Sequence, residues 1–355
     1  MGRVTQKQIA IHAGVCQPTV SQVLSGRGVA NIPSATSERI LRIAQELGYR
    51  RVIPTGNDRR QTKNIGFLIP ETMTSEGLII YVTQLYRGVC AELDEHGYHL
   101  HQAIIRPNDC FPELVAQGKV DGVILANECS EELIAHIRER VPVVLLNYHV
   151  PYSPIDAVMP DNTAGIAIAL KHLYLQGHRS IGLFGFEPYH HHHAERIDAY
   201  RDVMAQYGLP ITDGHIAARD PQQLGDIEEV DQYARETLQR WHRLVQPVTA
   251  AICLADLYAS SLLRAAYELG IAVPEQFSVV GFDNVPICEH TLPRLTTIEQ
   301  PLELMGQTAC SLLLQRIAHG DRPFVKIRLG VKFIERESTG PVCMEARETM
   351  PIHRQ

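Results

Sequence analysis

The sequence has little that would place it in a membrane or hold it together by disulfides. It has no run of about 18 apolar residues, the length that a membrane-spanning helix requires. Its first fifteen residues lack the apolar segment of a secretory signal. Eight cysteines are scattered with no Cys-x-x-Cys pair, which is typical of reduced thiols rather than of a disulfide frame or a zinc site. We therefore expect a cytoplasmic protein without a metal or other cofactor.

Catalytic motifs are missing too. The sequence contains no nucleophile–base motif, no Walker loop and no His-Glu-x-x-His, so we expect that the chain is not an enzyme. What it does contain is ordinary globular material. Its 355 residues are 45% apolar and 21% charged, which is enough for two or three domains with real cores.

The charge is divided unevenly along the chain. The net charge of −7 argues at first against a nucleic-acid partner. However, residues 1–63 hold ten Lys and Arg against three acids, so this segment carries +7 and the remainder −14. Such asymmetry indicates a basic module for a polyanion, joined to an acidic body with another task.

The first fifty residues predict three helices. Thr5 and Gln8 form a capping box, and Gly14 is a natural helix end. A short helix over 17–24 and a longer one over 34–47 follow, each with apolar residues at a spacing of three and four. Two short helices around a glycine-containing turn are typical of a helix-turn-helix, although a plain three-helix bundle has the same pattern.

Two stretches in this segment are more specific: TQKQIAIHAGVCQPTVSQVLSG and TSERILRIAQELGY. They resemble the headpiece of the lactose-repressor (LacI/GalR) family of bacterial transcription regulators. The resemblance implies that Gln17, Pro18 and Gln22 read base edges in the major groove. It assigns phosphate contacts to Thr5, Thr19, Ser21 and Ser25. Two residues depart from the family: Cys16 replaces the usual Ser N-cap, and Pro18 can read a base only by apolar contact.

Residues 49–64 read as a basic linker broken by Pro54 and Gly56. The hinge-helix motif that this family usually has here is absent. Arg50 and Arg51 are candidate contacts to the DNA backbone or minor groove, and a solvated tether is the alternative.

From Ile65 onwards, short apolar runs alternate with helical stretches, which predicts parallel sheets covered by helices on both faces. The resemblance continues through VDGVIL, PVVLLN, HLYLQGHRSIGLFG and GIAVPEQFSVVGFDN, and implies a two-lobed α/β effector domain like the periplasmic sugar-binding proteins. The predicted domains are a helix-turn-helix headpiece (1–48), the linker, an effector domain (65–340) and a tail (341–355). The first lobe is predicted over 65–163 and 296–323, and the second over 164–295 and 324–340.

Ligands of such sheets bind at the carboxyl ends of strands, here between the lobes. The resemblance places an effector clamp at Arg196, a hydroxyl acceptor at Asp283 and an aromatic wall at Tyr81. The alternatives are pairing of Arg196 with Asp198 or Glu195, a turn cap for Asp283 and a core position for Tyr81. Further candidate contacts, where the sequence departs from the family pattern, are Asn147, Tyr148 and Asp256.

Four consecutive histidines, 190–193, are predicted to lie in an exposed loop after a strand. Consecutive residues on a regular element cannot all face one metal ion, so a polar loop is favoured over a metal site. If the run meets a ligand, His193 is the best candidate because it is nearest to Arg196.

The leading hypothesis is a sequence-specific DNA-binding regulator, with repression the commoner outcome in this family, controlled by a small polar effector such as a sugar or sugar derivative. Recognition of a near-palindromic operator in double-stranded DNA implies a homodimer. The alternative is a solute-binding protein of the sugar-binding class, for which the basic headpiece would have no use.

Overall fold

We describe a computed structural model of the chain. The residues it describes are 6–25, 32–46, 61–74, 76–106, 112–186, 191–212, 214–219 and 227–342. Within them, no helix is both long and apolar enough to span a membrane.

Three helices at the amino terminus form a small unit, as predicted. Its core consists of seven buried apolar side chains from all three helices: Ile9, Ala10, Ala13, Val20, Val23, Ile40 and Ala44. Gly14 has φ +63°, which suits a glycine at the end of the first helix. The three helices are α1 (Gln6–Ala13), α2 (Gln17–Ser25) and α3 (Ser34–Glu46).

The rest of the described chain contains two six-stranded sheets, which we call the first and second lobe together with their covering helices. In the first lobe the strand order is β11-β5-β4-β3-β1-β2 and every neighbouring pair is parallel. Its strands are β1 (Asn64–Pro70), β2 (His99–Ile105), β3 (Gly122–Ala126), β4 (Val143–Leu146), β5 (Asp156–Pro160) and β11 (Lys326–Leu329).

In the second lobe the order is β12-β10-β9-β8-β6-β7, with only β12 antiparallel to its neighbour. The strands are β6 (Ile181–Phe186), β7 (Ile216–Arg219), β8 (Ala250–Cys253), β9 (Ser278–Asp283), β10 (Thr296–Glu299) and β12 (Lys332–Ile334). The remaining helices are α4 (Glu76–His96), α5 (Glu113–Ala116), α6 (Glu131–Arg138), α7 (Asn162–Leu175), α8 (His191–Gln206), α9 (Ile227–His242), α10 (Asp256–Glu268) and α11 (Leu302–Ala318).

Buried strands account for the long apolar runs in the sequence. Alternate residues of β8 belong to different hydrophobic clusters: Ala251 and Cys253 pack with α9 and α10, whereas Ala250 and Ile252 pack with α7 and α8. Both faces of the second sheet are therefore covered, as expected for parallel sheets. In the first lobe, α4 and α11 meet at Gly88 and Gly306, where a Cβ atom would collide with the backbone of the opposite helix.

The lobe boundaries differ from the prediction. Strand β10 pairs with β9 in the second lobe, although 296–323 was predicted to belong to the first. Strand β11 pairs with β5 in the first lobe, although 324–340 was predicted to belong to the second. The chain crosses between lobes before α7, before α11 and between β11 and β12, and apolar patterning alone does not show which sheet a strand joins.

Candidate functional site

One face of α2 carries the side chains predicted to contact DNA. Val20 and Val23 turn into the headpiece core, while Gln17, Pro18, Ser21 and Gln22 are exposed. Residues three and four apart are neighbours on a helix surface, and the pairs 17/21, 18/21 and 18/22 have this spacing, so these four form a continuous surface. The prediction that these side chains meet DNA fits this placement.

The beginning of α2 shows how Cys16 replaces the usual serine. Its Sγ lies 2.9 Å from Thr19 Oγ1, and its backbone oxygen accepts from Val20 N at 3.3 Å. Hydrogen bonds from Thr19 lower the pKa of the exposed Cys16 thiol. Thr19 is half-buried and contacts Cys16 at the beginning of α2. Thr5, Arg50, Arg51 and the side chain of Ser25 lie outside the described residues.

The second lobe buries Arg196 almost completely, with 1% of it exposed. Its Nε donates to Asn162 Oδ1 at 2.9 Å, and its Nη1 donates to the Leu254 carbonyl oxygen. The guanidinium carbon lies 3.6 Å from the centroid of the Phe282 ring, so the cation also stacks on an aromatic face. Burial lowers the pKa of Arg196, and the charge of Asp283 opposes that effect. The protein itself therefore holds the guanidinium in one orientation.

Asp283 ends β9 with φ +123°, a strained conformation for a residue with a side chain. Its Oδ1 lies 3.8 Å from Arg196 Nη1, an ion pair without a hydrogen bond, and accepts from Gln300 Nε2 instead. Burial raises the pKa of Asp283 to about 8, while Arg196 pulls it back. The predicted alternatives for Arg196 do not occur, because Asp198 pairs with Arg201 and Glu195 with Arg328.

Two tyrosines lie near this pair, one in each lobe. Tyr81 on α4 packs in the first-lobe core, yet burial and the charge of Asp283 raise the pKa of its hydroxyl. The same two causes raise the pKa of Tyr258 on α10. Neither Tyr81 Oη nor Gln300 Oε1 has a hydrogen bond of normal geometry within the described chain, although Gln300 lies close enough to lower the pKa of Tyr81. Tyr81 is thus both a core residue and a neighbour of the charged pair.

Two asparagines follow the central strands of the first lobe. Asn127 comes after β3 and Asn147 after β4, with φ of 65° and 61°, and both are buried. Asn147 Nδ2 donates to Asn127 Oδ1 at 2.7 Å. Among the described residues, Asn127 Nδ2 and Asn147 Oδ1 are buried without a partner. Next to them Tyr148 is buried, and burial followed by the charge of Glu128 raises its pKa to about 12.

Asp256 was predicted as a ligand contact, but it is fully buried and both of its carboxylate oxygens are bonded within the protein. Its Oδ2 accepts from the Val285 backbone N–H at 2.9 Å and its Oδ1 from Thr297 Oγ1 at 2.5 Å. Burial raises its pKa to about 6, and the hydrogen bond from Thr297 opposes this. Asp256 therefore fixes the backbone just after Asp283 and the neighbouring strand β10, and it affects Asp283 only through them.

The histidine run is partly helical rather than a loop. Helix α8 begins at His191, so three of the four histidines lie on it; residues 187–190 lie outside the described chain. His193 is buried, its Nδ1 lies 3.2 Å from the Phe186 oxygen, and its ring is 6.1 Å from that of Tyr258. No cluster of three potential metal ligands occurs among the described residues.

An ion pair joins the two lobes beside Arg196. Arg328 at β11 in the first lobe donates to Glu195 Oε1 at 2.7 Å, and His149 Nδ1 lies 4.0 Å from the same oxygen. Glu195 Oε2 accepts from Asn162 Nδ2 at 2.8 Å, and Asn162 is the residue that orients Arg196. Burial alone would raise the pKa of Glu195, but Arg328 and Asn162 lower it below its ordinary value.

Several residues of this site were not predicted from the sequence as site residues: Asn127, Asn162, Glu195, Tyr258, Phe282, Gln300 and Arg328. Asn162 lies two residues after β5 and Gln300 directly after β10, so considering the residues at every strand end would have found both. Arg328 and Phe282 gave no such signal, because they lie within strands.

Comparison with known proteins agrees with this architecture. Residues 5–51 match the model for bacterial regulatory proteins of the lacI family, and residues 170–339 match a periplasmic binding protein-like domain. The chain is 28% identical over 329 residues to the HTH-type transcriptional repressor CytR of Escherichia coli strain K12, covering 88% of this chain and 89% of that protein. It is 26% identical over 353 residues to the HTH-type transcriptional regulator DegA of Bacillus subtilis strain 168, covering 96% and 99%.

Solved structures give the same result. A complex of the transcriptional regulator CelR with cellobiose has a TM-score of 0.69 and 27% identity, covering 95% of this chain and all of that one. A LacI family regulator from Enterococcus faecium with bound ribose has a TM-score of 0.67 and 28% identity, covering 79% and 100%. These relatives are regulators rather than enzymes. From the headpiece, the two lobes and these likenesses together, the chain belongs to the LacI family of bacterial regulatory proteins and is a transcriptional repressor with an effector-binding domain.

Proposed function

We propose that this repressor binds a near-palindromic operator as a homodimer in the cytoplasm. We also propose that a sugar or sugar derivative, bound between its lobes, controls its affinity for the operator. The exposed face of α2 supports base reading by Gln17, Pro18 and Gln22, with Ser21 and Thr19 beside the phosphates. Thr5, Ser25, Arg50 and Arg51 complete the proposed contacts to the DNA backbone.

The DNA half of the proposal is tested by titrating the protein onto its own upstream DNA at two salt concentrations. Tight binding to one near-palindrome with a steep salt dependence is expected, because basic groups release counterions from DNA. Gln22→Ala should relax base preference at one position by roughly 1–3 kcal/mol. His12→Ala, a change at an exposed residue on α1, is the control and should leave base preference unchanged. Binding no tighter than to random DNA would refute the proposal.

The proposed dimer is measured independently by sedimentation of the protein, alone and with operator. Two protein chains for each near-palindrome are expected, because two-fold related half-sites require two headpieces. A single chain on the full operator would contradict the homodimer.

The effector half rests on one observation: the Arg196–Asp283 pair lies at the carboxyl ends of the second-lobe strands, close to the buried polar atoms of Tyr81 and Gln300. A guanidinium supplies parallel donors, a carboxylate accepts from hydroxyls, and an aromatic ring covers the C–H face of a sugar. We propose Arg196, Asp283, Tyr81, Asn147, Tyr148 and His193 as ligand contacts, with Asp256 acting through the backbone that carries Asp283.

Screening pentoses, hexoses, uronic acids and nucleosides by thermal shift identifies the effector class. With a ligand found, Arg196→Ala should abolish the effect of ligand on operator binding while leaving operator binding itself intact. Arg196→Lys keeps the charge but loses the fork, and so separates loss of contact from loss of folding. Arg264→Ala, at an exposed arginine of the same lobe, is the matched control. A normal ligand response in both Arg196 variants would remove this residue from the site.

A further inference from the structure

We propose that Arg336, which follows β12, is a positioning residue for the ligand site: it holds Asp283 in place through Asn284 and is not itself a ligand contact. This inference rests on the proposed function, in which Asp283 accepts hydrogen bonds from ligand hydroxyls. It makes ligand binding depend on the carboxyl-terminal segment 336–342 as well as on the strand ends around the site.

The turn after β9 has a backbone that needs support from its surroundings. Asp283 and Asn284 both have positive φ, +123° and +59°. Asparagine tolerates the left-handed region better than most residues, so the strain is concentrated at Asp283. Strained residues of this kind keep their conformation only where neighbouring groups hold them. The position of the Asp283 carboxylate therefore depends on the contacts that fix this turn.

The side chain of Asn284 is held on two sides. Its Oδ1 accepts from Arg336 Nη2 at 2.9 Å, and its Nδ2 donates to Glu299 Oε2 at 2.7 Å. An arginine only donates and a carboxylate only accepts, so these two partners fix the orientation of the amide. Glu299 ends β10 and is paired with Asp283 in the register of β9 and β10. Asn284 thus connects the strand beside Asp283 to the segment 336–342.

The Arg336 side chain is only 10% exposed and bonds to three separate parts of the lobe. Besides Asn284, its Nε donates to Glu289 Oε1 and its Nη1 to the Leu295 carbonyl oxygen, each at 2.8 Å. Glu289 ends the short 3-10 helix Pro286–Glu289, and Leu295 directly precedes β10. A planar guanidinium with donors on three nitrogens can reach all three acceptors at once. Arg336 therefore fixes both ends of the connection between β9 and β10.

The backbone of the segment 336–342 is itself anchored, so Arg336 starts from a fixed position. Its backbone N–H donates to Thr296 Oγ1 at 3.0 Å. Two residues later, the buried Ser338 Oγ donates to the Val279 oxygen at 2.6 Å and accepts from Thr296 N at 2.8 Å. These bonds lie at the beginnings of β9 and β10, whereas the guanidinium reaches the turn at the end of β9.

A neighbouring ion pair of the same segment gives a matched comparison. The Glu337 carboxylate accepts from Arg294 Nε at 3.0 Å and from Nη2 at 2.8 Å, and both side chains are 51% exposed. These hydrogen bonds join the segment to the residue before Leu295 and leave Asn284 to Arg336. If Arg336 only anchored the segment, loss of Glu337 and loss of Arg336 would have the same effect on the turn.

The first measurement is hydrogen–deuterium exchange of the full chain without ligand. Arg336→Gln should speed exchange about tenfold in peptides that cover residues 283–285, where the Val285 N–H donates to Asp256 at 2.9 Å. Glu337→Ala is the control and should keep the exchange rate of the parent there. Equal exchange of these peptides in the two variants would overturn the proposed link between Arg336 and the turn.

The second measurement is calorimetric titration of the full chain with ribose, glucose, cellobiose, glucuronate and adenosine, at a temperature where every variant is folded. The probe that binds the parent should bind Arg336→Gln about tenfold more weakly, the effect of losing one well-placed hydrogen bond to a charged group. Arg336→Lys should lie between them, because an ammonium keeps the charge but lacks the guanidinium's three donor nitrogens. Glu337→Ala should bind as the parent does.

The outcomes separate this inference from the proposed function. Equal affinity of the parent and Arg336→Gln would overturn the positioning role and leave the ligand site in place. Equal affinity of the parent and Asp283→Ala would instead refute the proposed site, and the inference with it. Binding of none of the five probes by the parent would overturn the proposed effector class and the inference together.

A double variant tests the stated route. Asn284→Gly removes the amide but keeps a residue that adopts positive φ easily. It should weaken binding, and adding Arg336→Gln should weaken it by less than about threefold more, because both changes break one link. Losses that multiply in the double variant would show that Arg336 does not act through Asn284.

Discussion

Each lobe of the effector domain contains an Arg–Asp ion pair, but the two pairs lie at opposite ends of the strands. In the first lobe Arg316 pairs with Asp156 at 2.8 Å at the amino end of β5. In the second lobe Arg196 faces Asp283 at 3.8 Å at the carboxyl end of β9. The first pair lies at the strand ends away from the proposed ligand site, and the second lies at that site.

The two pairs also differ in how completely the carboxylate is satisfied. Asp156 accepts from Arg316 Nε at 2.9 Å, from Nη2 at 3.1 Å and from the Val325 backbone N–H at 2.8 Å. Asp283 has no hydrogen bond from Arg196, and its burial raises its pKa to about 8. A saturated pair holds a fold together, whereas an unsaturated one retains capacity for a ligand. The comparison thus separates a saturated ion pair from the unsaturated pair that we propose as part of the ligand site.

Removal of the structural arginine should have the largest effect on stability. Arg316→Leu leaves Asp156 buried without its counter-charge, and we expect a loss of about 3–5 kcal/mol in the free energy of unfolding. Urea denaturation of the full chain measures it. Arg87→Leu, at an exposed pair with Glu303, should cost less than about 1 kcal/mol. Equal losses in the two variants would contradict the distinction drawn here.

Titration of His178, at the amino ends of the second-lobe strands, should have a smaller effect on the free energy of unfolding, and one that depends on pH. There buried His178 has Nδ1 2.9 Å from Thr249 Oγ1 and Nε2 3.0 Å from the Gly340 oxygen. Burial lowers the pKa of His178 to about 4, so the folded state favours the neutral ring. Its contribution is fully present above the unfolded pKa of about 6.5 and is lost as the pH falls towards 4, on the order of 3 kcal/mol.

The measurement is the free energy of unfolding between pH 7 and pH 4.5, for the parent and for His178→Gln. The loss of stability on acidification should be shallower in the variant. His319→Gln, at an exposed histidine, should follow the parent curve. A His178→Gln curve parallel to the parent curve would show that His178 does not titrate on unfolding.

The ion pair between the lobes should matter least for stability. Arg328 is 42% exposed and Glu195 18%, so Glu195→Gln should cost about 1 kcal/mol or less. Its effect on ligand response should be larger than its effect on stability, because Glu195 holds Asn162, which orients Arg196. Operator titrations with and without ligand measure that response, and Glu268→Gln, at an exposed pair with Arg235, is the control. A ligand response equal to that of the control would show that the Glu195–Arg328 ion pair does not affect the proposed ligand site.

The sequence indicated the buried parts of the fold well and the edges poorly. The apolar runs of the sequence predict nine strands, and each has a counterpart whose bounds differ by no more than two residues: 65–69, 98–104, 122–125, 143–147, 157–159, 180–184, 250–254, 278–282 and 297–298. The strands that escaped, β7, β11 and β12, are short and lie at sheet edges. In β11 and β12 Lys326, Arg328 and Lys332 break the apolar pattern. An edge strand is half exposed, so its sequence resembles a loop.

The sequence likewise predicted only part of the candidate site. Arg196 and Asp283 were predicted because the family resemblance and the strand ends both point to them. Their partners were not, since the hydrogen bonds from Gln300 to Asp283 and from Arg196 to Asn162 depend on how the lobes and the three chain crossings come together. Asp256 illustrates the difference: its position after a strand suggested a ligand contact, but the fold uses both of its oxygens for Val285 and Thr297.

The three crossings between the lobes limit how this domain can be divided and recombined. Neither lobe is one continuous stretch of chain, because β10 and β12 of the second lobe are separated by α11 and β11 of the first. Neither lobe can therefore be expressed alone or exchanged with a relative as a single gene segment. A chimera must exchange the whole effector domain, or must cut all three crossings at once.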